Sequence, residues 1–101
     1  PTIVFDEIDA GIGGPTAEVV GNLLKKLGRR TQVLCVTHLP QIAAKGQTQY
    51  LVAKKQNEDK LFTVVEELSP EKRVKEIARM LGGIEETEQS LSYAKTILEE
   101  D

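Results

Sequence analysis

Hydrophobic residues in the first third of this chain follow two spacings, which predict a strand, a helix and a second strand. Residues 3–5 form a short apolar run of the kind found in strands buried on both faces. From Pro15, apolar residues recur every three or four positions until Gly28: Ala17, Val19, Val20, Leu23, Leu24 and Leu27. Residues 32–36 form a second apolar run. These lengths predict a βαβ unit with parallel strands and the helix packed on the sheet.

The remaining pattern predicts one helical turn, a hairpin and two helices. Residues 41–45 can form the turn, and residues 48–54 and 61–67 have β-type patterns around a polar turn at 56–59. Ser69 is a predicted N-cap before Pro70, and Thr87 is another. The apolar faces of the two helices that follow are Val74, Ile77, Ala78 and Leu81, and Leu91, Ala94, Ile97 and Leu98. The predicted fold class is therefore α/β: two parallel strands with a crossover helix, a β-hairpin and two C-terminal helices.

Composition is that of an ordinary soluble domain. The chain has 101 residues, of which 40% are hydrophobic and 29% charged, with a net charge of −3. No apolar run approaches the roughly 18 residues of a membrane span, so we expect an intracellular, cytoplasmic protein. The single cysteine, Cys35, lies in an apolar run and is a predicted core residue. Because the chain enters a strand directly after Pro1, we expect it to be a piece of a larger protein.

The most informative polar residues follow the two predicted parallel strands. Asp6, Glu7 and Asp9 come after the first strand, and His38 follows the second. Parallel strands end at the same edge of a sheet, where ligands of α/β proteins collect. An apolar strand running into Asp-Glu is the Walker B pattern: the first acid holds Mg²⁺ and the second polarises the water that attacks a γ-phosphate. His38 would then contact that phosphate. The alternatives are solvated loop acids and a structural histidine.

The glycines at positions 11, 13 and 14 do not form a phosphate-binding loop. A Walker A loop needs Gly-Lys-Ser/Thr, whereas Gly14 is followed by Pro15 and Thr16. A dinucleotide fingerprint needs a glycine at position 16 and an acid at the end of the next strand. We expect these glycines to let the backbone approach another surface closely. One histidine and one cysteine also exclude a four-ligand zinc site of the His/Cys type.

Two segments of the chain resemble a known family. Residues 5–17, FDEIDAGIGGPTA, and residues 33–43, VLCVTHLPQIA, closely resemble the C-terminal part of the RecN family. These are bacterial DNA-repair ATPases of the SMC-like branch of ABC-type ATPases. Residues 78–83 and the helix containing Ala94 and Lys95 look like the tail of that family, so the resemblance covers essentially the whole chain. Ile8 stands where ABC transporters usually carry proline.

The resemblance implies a partial ABC-type ATPase head, the C-terminal half of a P-loop NTPase domain, over residues 1–101. Asp6 would be the Walker B aspartate that binds the Mg²⁺ of ATP, Glu7 the catalytic base and His38 the switch histidine. Asp9, Gly11, Gly13 and Gly14 would belong to the D-loop, which crosses to a second head at the bound nucleotide. The implied cofactors are ATP and Mg²⁺. The implied partners are a second head in a homodimer and DNA at the nucleoid, with no membrane.

The Walker A loop, the Q-loop and the Leu-Ser-Gly-Gly signature of that family are absent from this chain. We therefore expect the chain alone to be inactive. In the intact protein, it would contribute to ATP-dependent head engagement in DNA double-strand-break repair and recombination. Two alternatives remain: another SMC-like head, such as a cohesin-type or Rad50-like ATPase, and a non-catalytic module whose unpaired strand edges pair with a second copy.

Overall fold

The computed structural model describes residues 1–6, 11–82 and 87–99. These residues form four strands and four helices. In chain order they are β1 (Thr2–Asp6), α1 (Gly14–Gly28), β2 (Gln32–Val36), α2 (Pro40–Ala43), β3 (Tyr50–Asn57), β4 (Lys60–Glu67), α3 (Pro70–Gly82) and α4 (Glu88–Glu99). The predicted α/β fold class, with its order of elements, is confirmed.

The first sheet consists of β1 and β2, which pair in parallel with α1 as the connection between them. Their register runs from Thr2 opposite Gln32 to Asp6 opposite Val36. A side-chain hydrogen bond at the start of both strands, from Thr2 Oγ1 to Gln32 Oε1 at 2.8 Å, agrees with this register. Because neither strand is offset, both carboxyl ends lie at the same level, as the βαβ pattern predicts.

The prediction that the first strand is buried on both faces is wrong. One face of the sheet exposes its apolar side chains: Val4 is 63% exposed, Leu34 48% and Val36 61%. On the other face Val33 and Cys35 are half-buried, where α1 contacts β2. Cys35 is therefore not the fully buried core residue that was predicted. The physical reason is that a single crossover helix covers only one face of a two-stranded sheet.

The second sheet is the predicted hairpin, formed by antiparallel β3 and β4. Its turn is shorter than the predicted residues 56–59, since β3 continues to Asn57 and only Glu58 and Asp59 connect the strands. Glu58 has a φ of 56°, the left-handed conformation that two-residue hairpin loops use. The last pair of the ladder is Asn57 with Lys60. Polarity alone does not distinguish the end of an exposed strand from its turn.

Helix α1 packs against the short helix α2 through small side chains. Ala17 and Gly21 of α1 are buried, as are Pro40 and Ile42 of α2. A Cβ atom on Gly21 would lie 3.0 Å from the backbone oxygen of Gln41 and 3.5 Å from the Cα of Ile42. Gly21 therefore allows a closer approach of the two helices than any larger residue would. The apolar pattern of α1 is wider than its buried face, because Val19 and Leu23 remain exposed.

A small apolar core lies where α3 and α4 pack together beside the end of α2. Its buried members are Ala44, Ile77, Ala78 and Ala94. Among the described residues, Ile77 is the one large side chain that is completely buried. Half-buried apolar residues surround this cluster: Ala43, Val74, Met80, Leu81, Leu91, Ile97 and Leu98. The predicted apolar faces of the last two helices are therefore confirmed.

Both helices begin at the predicted caps. Ser69 Oγ accepts a hydrogen bond from the backbone N–H of Lys72 at 3.3 Å. At α4, Thr87 Oγ1 accepts from the N–H of Ser90 at 3.0 Å, and Ser90 Oγ accepts from the N–H of Thr87 at 2.9 Å. This reciprocal pair is a capping box with serine in place of glutamate. The starts of α3 and α4 are therefore set by hydrogen bonds between residues three positions apart in the sequence.

Arg73 links α3 to the segment that runs from α2 to β3. Its guanidinium donates hydrogen bonds to the backbone oxygens of Ala43, Ala44, Gly46 and Gln47 and to Gln49 Oε1. The carbonyls at the end of a helix have no intrahelical donor, so one cation here satisfies several at once. Partial burial lowers the pKa of Arg73, because desolvation disfavours the charged form.

We expect Gly21→Ala to lower the free energy of unfolding by about 1–2 kcal/mol, because the added methyl group pushes on the backbone of α2. Gly28→Ala is the matched control, since a Cβ at Gly28 would meet nothing within 4 Å. That change should be neutral or stabilising by at most about 1 kcal/mol. Urea denaturation followed by circular dichroism measures both. Equal effects of the two substitutions would show that α1 and α2 do not pack this closely.

We expect Arg73→Lys to destabilise the chain by about 2 kcal/mol, because an ammonium group cannot reproduce the fork that reaches these acceptors. Arg79→Lys is the control on the same helix. Arg79 pairs with Glu76 one turn away, and its side chain is 59% exposed. Its replacement should change stability by less than about 0.5 kcal/mol. If thermal denaturation ranks the two variants equally, Arg73 is not the anchor described above.

Candidate functional site

The carboxyl edge of the β1–β2 sheet carries two of the residues singled out from the sequence. Asp6 is the last residue of β1 and lies opposite Val36, the last residue of β2. His38 follows two positions later, and both Asp6 and His38 are exposed. The parallel register therefore brings this carboxylate and this imidazole to one edge of the sheet, although they are separated by 32 positions in the sequence (38 − 6). Glu7 and Asp9 lie outside the described residues.

The backbone around His38 forms a tight turn between β2 and α2. The N–H of Leu39 donates a hydrogen bond to Thr37 Oγ1 at 3.0 Å, across the position of His38. The carbonyl of Leu39 in turn accepts from the N–H groups of Ile42 and Ala43 at 3.1 and 3.0 Å. A threonine hydroxyl that bonds two residues ahead forms an ST-turn. Thr37 was not among the predicted site residues; its signal in the sequence is its position two residues before the N-cap of α2.

The backbone φ angles of Gly11, Gly13 and Gly14 differ, and only two of the three favour glycine. Gly11 has a φ of 77° and Gly14 a φ of 51°, which are conformations that favour glycine. Gly13, the N-cap of α1, has a φ of −166°, which any residue can adopt. At all three positions, a Cβ would meet nothing within 4 Å in the described part of the chain. The close approach to another surface stays a prediction, because that surface would belong to a partner.

Two kinds of site are absent from the described residues. In residues 1–6, 11–82 and 87–99 there is no group of three His, Cys, Asp or Glu side chains that could hold a metal ion. None of the helices in these ranges is both long enough and apolar enough to cross a bilayer. An exposed carboxylate such as that of Asp6 is a donor of the type that Mg²⁺ takes, since proteins often bind this ion through one or two carboxylates together with substrate phosphates.

A solved structure shares this fold. It comes from work described as the structural biochemistry of ATP-driven dimerization and DNA-stimulated activation of SMC ATPases. The match has a TM-score of 0.64 at 21% identity and covers 84% of this chain and 50% of the other. The chain therefore shares the fold of about half of that solved structure.

Sequence relatives define the particular protein that the chain resembles: DNA repair protein RecN. The chain is 54% identical to RecN of Vibrio cholerae over 98 residues and 50% identical to RecN of Haemophilus influenzae over 99. It is 38% identical to RecN of Bacillus subtilis over 99 residues. No family model matches the chain. Along nearly its whole length the chain is therefore similar to these RecN proteins, which confirms the resemblance seen in the motifs.

The chain corresponds to a minor part of these relatives. It spans 18% of the Vibrio cholerae protein and 17% of the Bacillus subtilis protein, while 97% and 98% of the chain itself is aligned. The similarity thus extends over nearly all of this chain but over less than a fifth of each relative.

Proposed function

We propose that this chain is the C-terminal portion, residues 1–101, of an ATP-hydrolysing, SMC-like head that acts in DNA double-strand-break repair and recombination. The observation that carries the proposal is the parallel register of β1 and β2, which brings Asp6 and His38 to one edge. The sequence similarity to RecN supports the biological role, since those relatives are named DNA repair proteins. A cytoplasmic location at the nucleoid follows from that role.

The proposed chemistry divides among three residues. Asp6 binds the Mg²⁺ of ATP, and this ion neutralises charge on the phosphates when it is bound. Glu7 orients the attacking water toward the γ-phosphate and accepts a proton from this water. His38 donates a hydrogen bond to an oxygen of that phosphate and so responds to its presence. Most of the catalytic effect in such a site comes from positioning and electrostatics, and the paired ends of β1 and β2 support such positioning.

The proposed partner at this edge is a second copy of the head. Asp9, Gly11, Gly13 and Gly14 form the segment that crosses to it at the bound nucleotide. Gly11, Gly13 and Gly14 are exposed, and their open surroundings leave room for a partner backbone. The structural neighbour is described in terms of ATP-driven dimerization and DNA-stimulated activation, which supports a dimer and a DNA partner here.

A specific observation favours a second candidate, the non-catalytic dimerisation module. The hairpin exposes four apolar side chains that the register of β3 and β4 places on one face: Tyr50, Val52, Leu61 and Val65. Each of its strands pairs only with the other among the described residues. Such an edge and face could join a second copy. Light scattering across a dilution series would detect that association, and Val52→Lys should abolish it.

We expect Glu7→Gln in an intact RecN protein carrying this sequence to lower kcat for ATP hydrolysis by about two to four orders of magnitude, the usual range for a lost general base. ATP affinity should be retained, because the amide keeps the size and hydrogen-bonding capacity of the side chain. Glu18→Gln provides the control, since Glu18 is an exposed residue of α1. A parallel loss of nucleotide affinity in the Glu7→Gln variant would contradict the role as base.

We expect the 101-residue chain alone to bind ATP weakly and to show no hydrolysis. It lacks the loop of backbone amides and the lysine with which P-loop proteins hold the triphosphate. Isothermal titration with ATP and Mg²⁺, together with a phosphate-release assay, tests this expectation. Hydrolysis above the level of a Glu7→Gln sample of the same chain would show that the chain is catalytically complete.

A further inference from the structure

We propose that the hydroxyl group of Thr37 is a positioning group for His38 during ATP hydrolysis. This inference rests on the proposed function, because it assigns Thr37 a role only through the imidazole of His38. The observation behind it is the hydrogen bond from the N–H of Leu39 to Thr37 Oγ1 at 3.0 Å. That bond closes the backbone on both sides of His38.

The regular hydrogen bonding of β2 and α2 provides no acceptor for the N–H of Leu39. Leu39 is the N-cap of α2, with φ −96° and ψ 123°, so its carbonyl belongs to the helix while its N–H lies outside it. It is also beyond the end of β2 at Val36, where the parallel ladder stops. The side chain of Thr37 therefore supplies the acceptor that regular structure does not supply at this position.

The two ends of the turn are held independently of this bond. On one side β2 is paired with β1, and on the other Pro40 and Ile42 are buried, with Gly21 of α1 against them. Loss of the hydroxyl should therefore loosen residues 37–39 without displacing β2 or α2. The exposed imidazole of His38 would sample more orientations, and fewer of them would suit a phosphate oxygen.

Two substitutions of Thr37 distinguish the effect of its hydroxyl from the effect of its side-chain shape. Thr37→Val keeps the β-branched shape and removes the hydroxyl, whereas Thr37→Ser keeps the hydroxyl and removes the methyl group. A merely structural role at the end of β2 would favour valine over serine, because β-branched residues suit strands. The positioning role predicts the opposite order, which makes this pair of variants diagnostic.

The experiment measures ATP hydrolysis by the intact RecN protein carrying this sequence, with His38→Ala, Thr37→Val, Thr37→Ser and the double variant His38→Ala/Thr37→Val. We expect Thr37→Val to lower kcat by roughly tenfold, the effect of one lost hydrogen bond, with KM unchanged. Thr37→Ser should restore kcat to within about twofold. In the His38→Ala background, Thr37→Val should have no further effect, since the two residues act as a unit.

Thr63→Val is the control for the substitution itself. Thr63 is an exposed residue of β4, in the hairpin and away from the β1–β2 sheet, and this variant should match the unmodified protein in kcat and melting temperature. Thr37→Val should lower the melting temperature only slightly, as expected for one lost hydrogen bond, and should remain folded at the assay temperature. A lower melting temperature that accounts for the lost activity would mean that Thr37 is structural, and the inference would be wrong.

The remaining outcomes separate this inference from the function on which it rests. If His38→Ala leaves kcat unchanged, the role of His38 in the proposed function is wrong, and the positioning role falls with it. If His38→Ala lowers kcat but Thr37→Val leaves kcat unchanged, Thr37 does not position His38 and the inference is wrong. If the two losses multiply in the double variant, Thr37 acts separately from His38, and the positioning role is again overturned.

Discussion

The in-register parallel pairing of β1 with β2 is the constraint on which the rest of this structure depends. Parallel pairing requires a crossover, which α1 supplies, and it makes both strands end at one edge. Asp6 and His38 lie at the same edge because Asp6 is opposite Val36, two residues before the histidine. In an antiparallel pair the two residues would lie at opposite ends of the sheet, and each residue of register shift would offset them by about 3.3 Å. The candidate chemistry is therefore a property of the strand pairing.

Helices α1 and α3 both contact α2, the helix that follows His38. Helix α2 follows the turn at His38, and it is fixed from two directions: by the close contact of Gly21 in α1 and by the guanidinium of Arg73 in α3. Arg73 also extends this connection to the segment before β3. A residue of α3, about 30 positions further along the chain, therefore binds the carbonyls at the end of the helix that follows His38.

Much of the fold could be read from local patterns, because the causes of those elements are local. The caps at Ser69 and Thr87 and the apolar spacing of the last two helices depend on residues within one or two turns of each other. The errors came where the cause was distant. Burial on both faces was inferred for the first strand, yet Val4 and Val36 are exposed, because burial depends on what packs against a face and not on the apolar run itself. The hairpin turn was overextended for a related reason: polar residues can continue a strand whose faces are exposed.

From its residues alone, the chain establishes the order of its elements, the Walker B-like strand end, the absence of a triphosphate-binding loop and the likeness to RecN. These depend on residue type and on spacing along the chain. Folding in three dimensions adds the register that places Asp6 beside the end of β2, the contact that requires glycine at position 21, the acceptors of Arg73 and the hydrogen bond of Thr37. These depend on distances between atoms in separate elements. No local spacing specifies such distances, because they arise only when the elements pack against one another.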